Sequence, residues 1–169
     1  MENVYIEAPT YLPAYHNDYH SVRVFLAGSI EMGVAEHWQD EVAQELLKLE
    51  LPHDKRLVIA NPRRKDWDSS WKQDINDAKF FEQVTWEQDS LESANVIAVY
   101  FDPNTKSPIT LMELGQYVDA GRDTNLVVYC PEGFWRKGNV DIVCQRKGVP
   151  VYTDKETWKH ALKRTCITG

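Results

Sequence analysis

Two glutamates sit where a carboxylate can act as a reagent. Glu113 lies in SPITLMELGQY, residues 107–117, just past the apolar run NVIAVYF (95–101). The chain there leaves a buried strand and enters a helix, so Glu113 falls in the first turns of that helix. An acid in that position either favours the helix dipole, by ~0.3–1 kcal/mol, or serves as a reagent in a pocket. Glu87 lies one helix earlier, in the middle of a stripe formed by Phe80, Val84, Leu91 and Ala94, whereas Asp89 points to the opposite face. A carboxylate on a core-facing stripe needs an ion-pair partner, Arg63 or Arg64, or a wet cavity, because burying it unpaired costs several kcal/mol. Its place near the helix end favours an acid in a pocket.

Other residues could hold a ligand around those acids. GSIEMG (28–33) offers Gly28, Ser29 and Gly33 in a strand-to-helix turn whose exposed amides suit a phosphate or a hydroxyl. It is neither a G-x-G-x-x-G fingerprint nor a P-loop, and a plain tight turn reads equally well. RRKDWDSSWKQD (63–74) holds Arg63, Arg64, Trp67 and Trp71. These four read as a surface loop with salt bridges or as a lid that stacks on a nucleobase.

The elements that must position these groups alternate. VRVFLAG (22–28), RLVIANP (56–62), NVIAVYF (95–101), LVVYC (126–130) and VPVY (149–152) read as strands. Helices are expected over 35–50, 77–93, 107–120, 139–147 and 155–164, with Gly121 as a C-terminal stop. Apolar strands alternating with helices predict an α/β fold: one doubly wound, five-stranded, mainly parallel sheet, flavodoxin- or Rossmann-like, with helices on both faces. Residues 1–21 read as an irregular N-terminal arm and 22–169 as one domain. Ligands in such a fold sit at the carboxyl ends of the strands, where the candidate residues cluster.

Composition removes several function classes. The net charge of −7, from 26 acids against 19 bases, argues against a nucleic-acid polymer or an anionic membrane as partner. Cys130, Cys144 and Cys166 form no C-x-x-C pair, and His16 and His20 sit in a proline- and tyrosine-rich stretch unlike a zinc helix, so no metal site is expected. No apolar run approaches the ~18 residues of a membrane span, and the start lacks signal-peptide order, so a cytoplasmic protein is expected.

The strings VFLAGSIEMG, WEQDSLESANVIAVYFDP and SPITLMELGQY, in that order, resemble the nucleoside 2-deoxyribosyltransferase family and its nucleotide N-glycosidase relatives, over roughly residues 22–152. The resemblance implies that Glu113 is the catalytic glutamate, that Ser107 contacts the sugar or its phosphate, and that Glu87 addresses the leaving base. It carries the glycine turn onto Gly28, Ser29 and Gly33, and a residue lent by a neighbouring subunit onto Asn139. A homo-oligomer is therefore expected, and no metal or redox cofactor is needed. Two positions depart from the family pattern: Phe25 stands where a tyrosine is common, and Glu31 where the nucleotide hydrolases carry arginine. The second implies a nucleoside substrate, or a phosphate held by Arg63, Arg64 or Arg136.

The implied activity is cleavage of the N-glycosidic bond of a (deoxy)nucleoside or nucleotide, with transfer of the sugar to another base or to water. The alternative is a nucleotide-binding module without turnover. In the enzyme, a helix start should keep Glu113 ionised as a nucleophile, with Gly115 leaving room for the sugar or a packed neighbour.

Overall fold

The computed structural model describes residues 1–11, 18–31, 35–64, 67, 70–119 and 123–169. Gly33, the helix stop at Gly121 and His16 lie outside the described residues. Six strands form one sheet: β1 (Val4–Glu7), β2 (Ser21–Gly28), β3 (Arg56–Asn61), β4 (Val96–Tyr100), β5 (Asn125–Tyr129) and β6 (Val151–Tyr152). Their order is β1-β3-β2-β4-β5-β6, and each neighbouring pair is parallel.

The expected doubly wound parallel sheet is present, with one strand more than the five anticipated. The addition comes from the arm read as irregular: β1 lies against β3 with Val4 opposite Val58. Four residues with one buried side chain, Ile6, carry too little pattern to announce a strand. Distant partners hold it instead. Asn3 receives the Leu57 amide on its side-chain oxygen and donates to the Leu47 and Leu49 carbonyls. The Tyr5 hydroxyl accepts from Asn61 at 2.7 Å and donates to Asp40.

Two helices cover one face of the sheet, α1 (Trp38–Leu46) and α5 (Lys155–Thr168). Three cover the other, α2 (Ala78–Ser93), α3 (Pro108–Tyr117) and α4 (Lys137–Arg146). No helix among the described residues is long and apolar enough to cross a membrane. On the α1–α5 side, the Trp38 ring stacks on Tyr100 at 4.7 Å, and Trp158 meets both edge-on. On the other side, α2 starts where Asp77 accepts the Lys79 and Phe80 amides, which satisfies two donors that a helix start leaves open. Along α2, Gln83, Trp86, Ser90 and Leu91 face inward, while Phe80 and Val84, expected on the buried stripe, are half-buried. Glu87 lies between Trp86 and Ser90 on this inward side.

The winding reverses between β2 and β4. α1 carries the chain outward from β2 to β3, and α2 carries it back across β2 to β4 on the opposite face. Neighbouring crossovers then diverge, and a crevice opens beyond the carboxyl ends of β2 and β4. Gly28 and Tyr100 are paired at that edge.

Candidate active site

A cleft of about 150 Å³ occupies that crevice. One wall is the turn after β2, from Gly28 to Glu31; a second is the start of α3, from Ser107 to Thr110, with Glu113 behind it; Pro62 and Glu87 close the third side. Larger hollows of about 620 and 420 Å³ lie at the amino ends of the strands, around Arg23 and Asn95. They are open and polar and hold neither Glu87 nor Glu113, so the small cleft is where the chemistry must be sought.

The turn after β2 is shaped by packing. A Cβ on Gly28 would stand 2.4 Å from the Trp38 indole and 2.6 Å from the Tyr100 carbonyl oxygen. The sequence left this turn open between a seat for a ligand and a plain tight turn; here the Trp38 ring and the Tyr100 carbonyl already demand the glycine. Ser29 follows, buried, and its hydroxyl meets those of Thr105 at 2.9 Å and Ser107 at 2.5 Å. Thr105 and Ser107 are themselves 2.8 Å apart, and the Asp102 amide donates to Ser29. Three hydroxyls thus tie the end of β2 to the loop after β4. Ser107 precedes α3 in the left-handed region (φ 48°, ψ 53°), an arrangement that costs a non-glycine residue of order 1–3 kcal/mol. Its hydroxyl makes no cap to the helix.

Glu113 is the sixth residue of α3, in its second turn. It is 7% exposed, and its Oε2 has no hydrogen-bond partner among the described residues. Burial, and then the negative charge of Glu87, push its pKa up to about 8. The expectation that a helix start would keep it ionised is therefore corrected: it lies too deep along the helix for the dipole to act strongly, and desolvation wins. Glu87 is pushed up to about 7 by burial, against the opposing effect of a hydrogen bond from Gln83 at 2.8 Å. Gln83 also donates to the Pro62 carbonyl, which fixes Glu87 beside the end of β3. Arg64 pairs with Glu82 at 3.0 Å, and Arg63 donates to Gln39 and to the Glu36 carbonyl.

The structure thus brings Glu113, Glu87, Gly28, Ser29 and Ser107 to one cleft. Arg63, Arg64, Trp67 and Trp71 are outside its lining. Trp67 and Trp71 meet edge-to-face at 5.0 Å, and the Arg64 guanidinium lies 4.8 Å from the Trp71 ring, anchored to α2 through Glu82. Asn139 is exposed on the first turn of α4, also outside the cleft. Gly115 is exposed, and a Cβ there would meet nothing within 4 Å, so it makes no room for a sugar. Phe25 is buried against Trp86.

Sequence reasoning passed over Thr105, Thr110 and Pro62. The hydroxyls of Thr105 and Ser107, two residues apart in a proline-bounded loop, were the available signal. It also took Glu31 as a substitution only, whereas its carboxylate accepts the Lys106 and Ser107 amides at 3.0 and 2.7 Å.

The arrangement amounts to two acids with raised pKa values, a wall of hydroxyls and no cation among the described lining residues. Such a site can hold a polar, uncharged or cationic group and exchange one proton with it. A sequence profile of the family described as "nucleoside 2-deoxyribosyltransferase like" matches residues 21–134, more than half of the chain, from β2 to the turn after β5. No curated protein matches the chain significantly.

Proposed function

The chain belongs to the nucleoside 2-deoxyribosyltransferase-like family, and from that premise we propose that it cleaves the N-glycosidic bond of a (deoxy)nucleoside through Glu113. The supporting observation is the unpartnered, buried Oε2 of Glu113 in the same cleft as Glu87. A carboxylate held without partners gains most when positive charge develops beside it, as it does on the sugar during glycosidic cleavage.

In the first step a Glu113 oxygen bonds to the anomeric carbon as the carbon–nitrogen bond breaks. The bonding pair stays on the base nitrogen, and Glu87 supplies the proton that neutralises the departing base. In the second step an acceptor base or water attacks the anomeric carbon. The ester bond to Glu113 breaks, its electrons return to the carboxylate, and the acceptor's proton goes to Glu87. Atoms and charges balance whichever acceptor arrives. The buried hydroxyls of Ser29 and Ser107 suit hydrogen bonds to the sugar, and the group of Arg64, Trp67 and Trp71 suits closure over the base.

The reactive form has one proton on the pair, on Glu87; because Glu113 is pushed up further than Glu87, this is the less populated of the two singly protonated forms. Two interacting acids titrate as a unit, so that form is most populated between their two steps, around pH 7–8. kcat/KM should therefore follow a bell: the acid limb falls because Glu113 is protonated, the alkaline limb because Glu87 has lost its proton.

Two copies are proposed to join through α3 and α4, where Ile109 and Met112 of α3, Trp135 in the turn before α4, and Ile142 of α4 are exposed, as is Asn139. An apolar patch of this kind suits a partner surface. A single sedimenting monomer that retains full turnover would remove this part of the reading.

The test of the chemistry is a nucleoside carrying fluorine at the sugar 2-position. Fluorine disfavours the cationic state and slows both steps, so the sugar ester accumulates when the leaving group is good. Intact-mass spectrometry should show one added sugar per chain, mapped to Glu113 and absent from Glu113→Ala. Turnover by Glu113→Ala at the wild-type rate would refute the assignment.

A further inference from the structure

Gln83 stands one turn before Glu87 on α2 and is buried. Its side-chain nitrogen donates to two acceptors, the Pro62 carbonyl and Glu87 Oε1, both at 2.8 Å. The Pro62 carbonyl can only accept, so it fixes the amide nitrogen on that side and leaves the second N–H for Glu87. The amide oxygen is then left buried, with no partner among the described residues. A buried acceptor without a donor weighs against the fold, so packing alone does not explain the residue.

The consequence falls on the Glu87 carboxyl. Oε1 already accepts an N–H, and a proton placed there would face that donor, so the proton of the neutral acid is directed to Oε2. Glu87 is half-buried and lines the cleft together with Glu113 from α3 and Glu31 from the turn after β2. No lysine, arginine or histidine is among the described lining residues, and Arg64, the cation packed on α2, pairs with Glu82. Burial raises the Glu87 pKa, and the bond from Gln83 opposes that rise.

We propose that Gln83 is a positioning residue: by holding Oε1 as an acceptor, it puts the transferable proton of Glu87 on Oε2, the oxygen left for the substrate. This rests on the proposed glycosidic cleavage for its role in turnover, but the hold on Glu87 can be tested without turnover. As the carbon–nitrogen bond breaks, the Oε2–H bond breaks with it. The proton goes to the base nitrogen, and the charge left on the carboxylate is shared with Oε1, where the Gln83 N–H meets it. In the second step the acceptor's proton returns to Oε2. A simple tie between α2 and the end of β3 would need the bond to Pro62 alone.

Gln83→Met fills much the same space and donates nothing. The Glu87 carboxyl is followed across pH by carbon-13 NMR of the full-length protein, its resonance assigned by its loss in Glu87→Gln. Each variant is first shown by thermal melting to be folded. The Glu87 midpoint should lie higher in Gln83→Met than in wild type, by roughly half a pH unit or more, because the carboxylate has lost its donor. kcat/KM should fall about tenfold for a base that needs protonation, with the alkaline limb moved to higher pH. For a base that leaves as a stable anion it should not fall, since Glu87 takes the shared proton more often and Glu113 is more often ionised. An unmoved midpoint overturns the proposal, as do equal losses for both kinds of base.

A second measurement needs no variant. In wild type, one proton of the Gln83 side-chain amide should shift as Glu87 ionises, while the other, on the Pro62 carbonyl, moves less. Two amide protons that move alike, or not at all, overturn the proposal even if Gln83→Met does not fold. If wild type turns over no nucleoside, the glycosidic reading fails, and the two titrations still decide how Glu87 holds its proton.

Discussion

Two clusters of acids among the described residues, one on each side of the sheet, handle the same side chain in opposite ways. Between α1 and α5, Glu41 and Glu45 are surrounded by Lys155, Lys159 and Lys163. Glu41 is held below the usual carboxylate range by its hydrogen bond from Lys155 and then by Lys159, and Glu45 by Lys163 and then Lys159. In the cleft, Glu87 and Glu113 are pushed up to about 7 and about 8, burial being the first cause in both. Where lysines reach the acids, the carboxylates are stable anions; where they do not, the folded protein holds protons that the unfolded chain would release. The first cluster supports the fold, and the second keeps its acids raised at a cost to the fold.

That contrast is tested hardest by neutralising Glu113. Glu113→Gln should lower kcat by about a thousandfold or more, because it removes the proposed nucleophile. It should also stabilise the fold, with a sign set by linkage. The Glu113 pKa is raised on folding, so stability that is fully present below the unfolded value near 4.5 is lost as pH climbs through about 8. By pH 8.5 the loss is on the order of 4 kcal/mol, and the variant escapes it. Melting curves from pH 4.5 to 8.5 should therefore diverge, with the variant higher by roughly 10 °C at the alkaline end. Parallel curves would mean that Glu113 is solvated in solution, and the comparison would lose its cleft side.

Glu87→Gln should act more weakly and more selectively. Losing a general acid costs about a hundredfold for a base that needs protonation, and little for one that leaves as a stable anion. The alkaline limb of the pH–kcat/KM profile should vanish while the acid limb, which reports Glu113, remains. Equal losses for good and poor leaving groups would assign Glu87 to positioning.

The cleft side of this contrast was legible in part along the chain; the lysine side was not. Glu87 is recognisable because one acid interrupts a 3–4 spaced stripe, and the parallel sheet because apolar strands alternate with helices. What the chain concealed is non-local. β1 depends on Asn3 and Tyr5 reaching partners more than 30 residues away. Gly28 is required by Trp38 and the Tyr100 carbonyl. The protonation of Glu113 depends on how deep along α3 it falls and on Glu87 one helix away. Spacing locates a carboxylate on a face; its pKa is set by everything packed against that face.

The smallest expected effect lies on the lysine side. Lys159 is buried, and its ammonium contacts Glu41 at 3.1 Å, Glu45 at 2.9 Å and Glu156 at 2.8 Å. Lys159→Met fills the same space and leaves three acids with one lysine fewer. A buried ion pair broken in this way costs about 3–5 kcal/mol when nothing replaces the partner. Here Lys155 still reaches Glu41, Lys163 still reaches Glu45, and water reaches all three acids, so a loss of about 1–2 kcal/mol is expected. Its pH dependence should oppose that of the cleft. The Glu41 and Glu45 pKa values are depressed on folding, so their contribution is present above about pH 4.5 and is lost as pH falls through their lowered values. The gap between wild type and Lys159→Met should thus close on acidification and narrow in high salt, with kcat/KM unchanged within about twofold. If the variant instead melts with wild type from pH 5 to 9, the lysines contribute nothing measurable to the fold. The two clusters would then differ by burial alone, and the raised acids of the cleft would need no contrast with paired ones to explain them.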